Sequence, residues 1–473
     1  MPQLSRRTFL ELASLASAGL IGGCGGVTRL SGSDNFPVLI FSDVHFQPFI
    51  PPFTQNAPIT TALANMALAA QLDEANVSQW PAILQGVANA PNSTPSAPGA
   101  DTNYALLALA LANIRRNLGT SPAVLFTGDF LGHGLDQLYS AYRPNKTSAE
   151  ANAFVDKTLT FVLQQIRAAV GSIPVYFALG NCDSYTGSGP DDNFLANNAQ
   201  QLCTLALNGA GNQQDVISSI KNGGYYSAEP AGMNLMIIGL NTIALSPLVS
   251  ADPTMIANQF AWFDAKLSEA STTGKKVWLL MHAPPGADEG TSGKPTNDTG
   301  QITTATMMWM DENQTTFMGI IKRYPGVIAM SLAGHTHMDE FRLMSPGNAL
   351  AITAGISPVF GNNPAYKIFT LDNLSLAPTD YSAVNCNLAV TPSQFNDFYT
   401  FSQAYDLEGP LGTSLAQLFP ALTASDAAKK QYQGAFYSGN NTANPITITN
   451  WPVYWCGIGY MNEQEFFTAV NAF

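Results

Sequence analysis

Five histidines in a chain of 473 residues are the side chains best placed to do chemistry. Each of them stands at or just past the end of an apolar run that predicts a buried strand; they are His45, His133, His282, His335 and His337. A lone histidine beside such a run is more often a core residue, but packing does not explain five of five. Because neutral imidazole is the commonest metal ligand among side chains, the pattern indicates a metal centre formed at strand ends.

The candidate oxygen ligands also lie just past the ends of predicted strands. Asp43 lies two residues before His45, on the same side of the pleat. Asp129 follows a strand-like run and a glycine, and Asn181 follows another strand and another glycine. This mixed nitrogen and oxygen set without thiolate suits two divalent ions, with zinc, manganese or iron as candidates.

The order of these motifs resembles the calcineurin-like metallophosphoesterase superfamily: D-x-H at Asp43, G-D at Asp129, G-N at Asn181, a lone histidine at 282, then G-H-x-H from Gly334. Three further features are similar to its acid sphingomyelinase-like phosphodiesterase branch. They are His133 four residues after Asp129, the run Gly334–Phe341, and Gly361–Phe369. The resemblance spans residues 36–372, and Pro452–Cys456 adds a weaker similarity near the C-terminus.

The resemblance implies a ligand set and a reaction. Asp43, His45 and His337 would hold one metal, Asn181, His282 and His335 the other, and Asp129 would bridge them. The branch leans to zinc. A bridging hydroxide, its pKa lowered by two cations, would attack phosphorus in line with the leaving oxygen.

The position after Asn181 departs from the common family pattern. A histidine often stands there, and this chain has Cys182. A thiol with a pKa near ~8.5 is a poor general acid, so His133 is the remaining candidate to protonate the leaving group. A structural or disulfide role is favoured for Cys182.

The expected function is therefore hydrolysis of phosphoesters, with diesters favoured by the branch. A phosphomonoesterase and a catalytically decayed, metal-binding surface lipoprotein remain as alternatives. The expected substrate is a small-molecule or lipid-headgroup phosphoester. No segment resembles a separate saposin-like domain, which argues against sphingomyelin itself.

The N-terminus reads as an export signal. Arg6 and Arg7 precede a short apolar run, Leu12–Gly23, which predicts a Tat-type signal. Ile21–Cys24 resembles a lipobox, so Cys24 is a candidate lipid anchor and the only expected contact with membrane. The expected location is the periplasm or cell envelope. Removal of residues 1–23 leaves 18 basic and 32 acidic side chains, a charge of −14 that disfavours nucleic acid as a partner.

Predicted strands and helices alternate along the chain. This alternation predicts an α/β fold for the elements that position the candidate site residues. The resemblance implies two mixed sheets packed face to face with helices outside. Residues 1–24 are expected to be the signal, 25–372 the catalytic domain and 373–473 an extension with only loop and helix signals. Within it, Tyr454 and Trp455 are expected to pack, and Cys386 is expected to pair with Cys456. Residues 47–100 form a helical insertion that leaves from the D-x-H turn and is expected to overhang the site.

Helices are predicted over two segments of Ile59–Ala90 and over Tyr104–Leu118, Ala149–Val170, Phe194–Leu207, Thr254–Ala270 and Asn313–Arg323. Strands are predicted at Val38–Ile40, Val124–Thr127, Pro174–Leu179, Val277–Met281, Val327–Leu332, Leu350–Ala354 and Tyr366–Leu371.

Overall fold

The computed structural model describes residues 35–51, 59–86, 94–294, 297, 299–345, 347–440, 442 and 446–473. The predicted export signal and lipobox lie outside these residues. Twelve strands are present in the described chain: β1 (Phe36–Phe41), β2 (Val124–Phe126), β3 (Val175–Phe177), β4 (Tyr226–Ala228), β5 (Leu235–Gly239), β6 (Lys276–Leu280), β7 (Ile328–Ala333), β8 (Glu340–Ser345), β9 (Asn348–Ile352), β10 (Ala365–Leu371), β11 (Pro378–Cys386) and β12 (Phe395–Thr400).

The strands form two mixed six-stranded sheets. The order is β12-β11-β10-β1-β2-β3 in the first sheet and β4-β5-β6-β7-β9-β8 in the second. In the first sheet β1, β2 and β3 are parallel, and in the second β5, β6, β7 and β9 are parallel. Because parallel neighbours end at one edge, the loops that leave β1, β2 and β3 meet, as do those that leave β6 and β7.

Fifteen α-helices of the described chain flank the sheets. They are α1 (Ile59–Glu74), α2 (Trp80–Gly86), α3 (Tyr104–Asn117), α4 (Leu135–Tyr142), α5 (Ser148–Val170), α6 (Asp192–Gln201), α7 (Gln213–Gly223), α8 (Pro253–Thr273), α9 (Glu289–Ser292), α10 (Asp311–Lys322), α11 (Phe401–Tyr405), α12 (Leu411–Ala424), α13 (Asp426–Phe436), α14 (Trp451–Gly459) and α15 (Glu463–Ala472). The predicted helices are confirmed to within a few residues at each end with two exceptions: α6 ends at Gln201 and continues only as a π-helical segment, Leu202–Ala206, and the predicted end at Ala90 lies outside the described residues.

The main core lies between the sheets. Leu39 of the first sheet and Trp278 of the second are fully buried in the same apolar cluster. A second cluster covers the other face of the second sheet, where Leu279 packs with Phe263 of α8 and Phe317 of α10. The predicted sandwich of two mixed sheets with helices outside is confirmed.

The C-terminal extension differs from expectation. Residues 378–400 are not loop and helix but two strands, with β11 hydrogen-bonded to β10 and β12 at the sheet edge. Their polar composition conceals them, since β12 reads Phe-Asn-Asp-Phe-Tyr-Thr and is largely solvent-facing.

The Cys386–Cys456 pairing is wrong. The four cysteines of the described chain, at positions 182, 203, 386 and 456, are all free and buried. Cys386 belongs to the main core, whereas Cys456 packs with Val453 and Phe466 in a separate cluster.

The insertion packs against helices α4 and α5 of the catalytic domain. Asn65 of α1 donates to the Ile50 carbonyl and to the Tyr142 hydroxyl, and the Trp80 ring of α2 lies 5.2 Å from that of Phe161 in α5. Residues 52–58 and 87–93 lie outside the described residues, so its role as a lid stays a prediction. Within the described chain, no helix combines the length and apolar character that crossing a bilayer requires.

Candidate metal centre

Backbone hydrogen bonds tie the strand-end loops to one another. The Asp43 N–H donates to the Gly128 carbonyl at 2.9 Å, and the His45 N–H donates to the Asp129 carbonyl at 2.9 Å. The Gly334 N–H donates to the His282 carbonyl at 3.1 Å, and the Asp43 carboxylate accepts from the His335 N–H at 3.0 Å. The last bond joins loops of the two different sheets, so the site lies where both sheets end.

One group of candidate ligands comprises Asp43, His45 and His337. The Nε2 atoms of His45 and His337 lie 3.0 Å apart, and Asp43 Oδ1 is 3.5 Å from His337 Nε2. All three side chains are buried.

The second group comprises Asp129, His282 and His335, with Asn181 beside it. His282 Nε2 lies 3.1 Å from His335 Nδ1 and 3.2 Å from Asn181 Oδ1. Asp129 Oδ2 joins the groups, because it is 3.1 Å from His282 Nε2 and 3.2 Å from His45 Nε2.

The ring orientations fit a pair of divalent ions. His282 Nδ1 donates to the Thr127 carbonyl at 2.7 Å, and His337 Nδ1 donates to the Ser357 carbonyl at 3.0 Å. Both rings therefore turn Nε2 towards the carboxylates, as metal-binding histidines do when a carbonyl fixes their tautomer. His45 Nδ1 is buried without a hydrogen-bond partner in the described chain, so the polar contacts of that ring are made through Nε2, which lies 3.2 Å from Asp129 Oδ2.

The pKa shifts indicate which protons a bound metal ion would displace. Burial acts to lower the pKa of His45 and of His282, but the Asp129 carboxylate outweighs it and raises each pKa to about 9. Burial acts to raise the pKa of Asp129, but His282 and His45 hold it well below its usual value. Divalent ions would compete with these protons for the same nitrogens, so metal binding releases protons.

Backbone strain is concentrated here. Nine non-glycine residues of the described chain have positive φ, and five of them are candidate ligands: Asp43 (50°), His45 (42°), Asp129 (62°), His335 (73°) and His337 (63°). Each costs about 1–3 kcal/mol and persists only where surrounding structure determines it. Such strain is typical of functional sites.

The sequence model of the calcineurin-like phosphoesterase family matches residues 36–339, which include every one of these side chains. This chain belongs to the calcineurin-like phosphoesterase family. Members hydrolyse phosphoesters with divalent metals, and this protein is a metal-dependent phosphoesterase.

Curated relatives confirm the predicted branch. Sphingomyelinase phosphodiesterase D of Dictyostelium discoideum is 26% identical over 375 residues, which cover 74% of this chain and 77% of that protein. Human acid sphingomyelinase-like phosphodiesterase 3b is 26% identical over 335 residues, covering 65% and 67%. Human cyclic GMP-AMP phosphodiesterase SMPDL3A is 26% identical over 365 residues, covering 72% and 73%.

In this phosphoesterase, His133 lies beside the candidate metal ligands and is bound by the Asp101 carboxylate. Its ring stacks on that of His45 with centroids 4.2 Å apart, and its side chain is 40% exposed. The buried Asp101 carboxylate accepts from the His133 backbone N–H at 2.8 Å and lies 2.9 Å from His133 Nδ1. Nε2 is then the ring nitrogen that Asp101 leaves available.

Cys182 is buried next to His45 and His133. Burial raises the pKa of its thiol well above the usual value, and nearby carboxylates add to the shift. Its backbone N–H donates to Asp129 Oδ1 at 2.7 Å. The geometry gives Cys182 a structural part as a neutral thiol, and the disulfide alternative is wrong.

The structure brings all eight predicted site residues together, and it adds three that sequence reasoning missed. Asp101 binds His133, and the exposed Phe360 ring lies 4.7 Å from that of His337. Asp183 accepts from the backbone N–H groups of Asp129 and Phe130 at 3.0 and 2.8 Å. Asp183 sits two residues after Asn181, so its place beside the G-N motif was a usable signal.

Proposed function

We propose that this phosphoesterase acts on phosphodiesters and that His133 protonates the leaving alkoxide. The observation that carries the proposal is the Asp101–His133 pair, stacked on a candidate ligand and open to solvent. The three relatives reported above are named as phosphodiesterases, which supports a diester rather than a monoester.

We propose that Asp43, His45 and His337 hold one ion, that Asn181, His282 and His335 hold the other, and that Asp129 bridges them. When bound, two divalent ions lower the pKa of water and stabilise charge on phosphoryl oxygens. The imidazole and oxygen donors suit zinc, manganese or iron, and zinc is favoured because the branch that the chain resembles leans to zinc.

Side chains of the protein supply the proton for the leaving alkoxide. Asp101 accepts from Nδ1, so the protonated His133 ring would donate its second proton from Nε2 to the leaving alkoxide and be left as the neutral Nδ1–H tautomer. The His133 backbone N–H donates to the same carboxylate, which holds Asp101 where it meets Nδ1 of the ring. Cys182, with its raised pKa, does not compete as the acid.

The test compares a diester with a monoester. Protein loaded with zinc, manganese or iron is assayed on bis(4-nitrophenyl) phosphate and on 4-nitrophenyl phosphate, with chelated protein as control. A higher kcat/KM on the diester supports the proposal. A higher value on the monoester contradicts it and favours a phosphomonoesterase, and bound metal without turnover on either ester favours a metal-binding lipoprotein.

We also propose export through a Tat-type signal to the periplasm or cell envelope, with Cys24 as lipid anchor and residues 25–372 as the catalytic unit. Replacing Arg6 and Arg7 by lysine should leave unprocessed precursor in the cytoplasm, because the twin arginines are what the Tat route reads. Fractionation followed by mass measurement of the N-terminus checks this. Mature protein outside the cytoplasm in the double variant would contradict it.

A further inference from the structure

The loop that joins β9 to β10, residues 353–364, lies directly against the candidate ligands. The Ser357 N–H donates to the Asp43 carbonyl at 2.9 Å, and the Gly355 N–H donates to the His337 carbonyl at 3.3 Å. A Cβ at Gly355 would lie 2.7 Å from His337 Nδ1, so the loop backbone touches the imidazole without space for a side chain. The position of this loop therefore limits where the His337 ring can lie.

The Ser357 carbonyl of this loop receives two side-chain donors. His337 Nδ1 donates to it at 3.0 Å, and Asn362 Nδ2 donates to it at 3.1 Å. Asn362 Nδ2 also donates to the Gly355 carbonyl at 3.1 Å. Asn362 is fully buried, and its amide thus joins the two peptide groups that lie beside the His337 ring.

The surroundings of Asn362 Nδ2 require a donor at that atom. Three backbone carbonyl oxygens lie around it, those of Gly355, Ser357 and Asn363, at 3.1, 3.1 and 3.3 Å. Carbonyl oxygens only accept hydrogen bonds, so an N–H group satisfies this position and a carboxylate oxygen would be repelled. The chemistry of residue 362 therefore decides how the Ser357 carbonyl is held.

We propose that Asn362 is a positioning residue of the metal centre. By binding the Ser357 carbonyl it fixes the acceptor that orients His337, and the ring then turns Nε2 towards Asp43, 3.5 Å away. The inference rests on the proposed assignment of His337 as a ligand. Loss of a partner that orients a metal-binding histidine typically weakens metal binding by about 10–100-fold.

The first experiment measures zinc affinity by competition with a chromogenic chelator. We expect Asn362→Ala to weaken one of the two bound ions by about 10–100-fold and the other ion less. Asn363→Ala is the matched control, since Asn363 is a buried asparagine of the same loop whose Nδ2 donates to the Ser438 carbonyl, in the C-terminal extension, at 3.0 Å. The chelated forms of both variants should melt at comparably lowered temperatures, whereas only Asn362→Ala should lose zinc affinity.

The second experiment keeps the volume of the side chain. Asn362→Asp places an oxygen where Nδ2 meets the Gly355 and Ser357 carbonyls, so we expect it to weaken zinc binding at least as much as Asn362→Ala. Cobalt(II) in place of zinc then reports the ligand geometry. The visible absorption bands of the cobalt-loaded Asn362 variants should differ from those of the wild type, and the bands of Asn363→Ala should not.

His337→Ala is the reference that separates this inference from the assignments beneath it. If His337→Ala weakens one ion but both Asn362 variants bind zinc as the wild type does, this inference alone is overturned. Unchanged zinc affinities in His337→Ala would overturn the proposed ligand assignment together with it. A wild type that binds two ions and does not hydrolyse bis(4-nitrophenyl) phosphate would overturn the proposed function and leave this inference standing.

Folding failures also give a decision. If Asn362→Ala does not fold, Asn362→Asp decides, because it preserves the packing volume. Failure of both variants to fold would assign Asn362 to the stability of the fold and overturn the inference. Equal losses of zinc affinity in Asn362→Ala and Asn363→Ala would overturn it as well, since the effect would then belong to the whole loop.

Discussion

The Asp129 carboxylate lies within 3.2 Å of two histidines that belong to different ligand groups. Asp129→Ala removes the shared oxygen, so we expect loss of turnover and of at least one bound ion per chain. Elemental analysis and a chromogenic diester assay measure both. Asp215→Ala, at an exposed position in α7, is the control and should keep metal and activity. A variant that retains two ions and a near-normal rate would refute the bridging assignment.

His133 offers a second test at the level of one residue. A nitrophenolate leaves without a proton, whereas an alkoxide needs one, and positioned general acids contribute about 10²–10⁴-fold. We expect His133→Asn to slow hydrolysis of dialkyl phosphodiesters far more than that of nitrophenyl diesters, with metal content unchanged. Asp101→Asn should act in the same direction but more weakly, because it disturbs only the tautomer and orientation.

An equal fall for both kinds of leaving group would instead make His133 a binder of phosphoryl oxygen. Loss of a metal ion in His133→Asn would make it a ligand or the support of one.

At the scale of elements, the loops after the strands must approach each other closely. A Cβ at Gly180 would collide with the Asp129 carboxylate and lie 2.6 Å from the Asp129 backbone nitrogen. We expect Gly180→Ala to fold but to displace Asp129, with a loss of activity of about 10²-fold, as small misplacements in active sites cause. Metal content and kcat/KM measure the effect.

Gly319→Ala in α10 is the matched control, because the added Cβ would have nothing within 4 Å apart from its chain neighbours and the backbone of its own helix. It should retain activity and raise stability by about 0.5–1 kcal/mol, since glycine is unfavourable inside helices. Equal activity of the two variants would show that the Gly180 contact is not critical.

The sequence predicted most of the strands whose residues are buried on both faces, but it missed β5 (Leu235–Gly239), which is buried throughout. Runs such as Val277–Met281 carry their own signal, since a strand of a parallel sheet is apolar on both faces. β4 is short, and β8 and β11 alternate polar and apolar residues weakly, so their pairing follows from tertiary contacts that no local window contains.

Prediction of the site had the same limit, because some of its residues are brought together only by tertiary contacts. Ligands that follow strands in fixed motifs were predictable by order alone. Asp101 was not predictable in this way. It lies 32 residues before His133 in sequence, just after the insertion, and only the folded chain brings the two side chains together. The cysteine pairing failed for a related reason: spacing along the chain does not reveal that Cys386 and Cys456 belong to different apolar clusters.

At the scale of the whole molecule, the candidate ligands come from both sheets, so bound ions join the two halves of the sandwich. A ligand that binds only the folded state at about 100 times its Kd stabilises that state by about 2.7 kcal/mol. We expect chelation to lower the melting temperature and added zinc or manganese to restore it, as differential scanning fluorimetry would show. Asp129→Ala should show a smaller response to chelator, and an unchanged wild-type melting temperature on loss of metal would contradict the prediction.

The place of β1 in the first sheet also governs how the protein is made. β1 lies between β2 and β10, and Phe36 pairs with Leu371 near the far end of the catalytic region. A ribosome delivers β1 first, so one of its edges has no native neighbour until most of the chain has been translated. Closing so long a loop slows folding, and an apolar strand with an open edge invites association with other chains in the meantime. The yield of folded enzyme in a cell should therefore depend on chaperones that hold the nascent chain until β10 emerges.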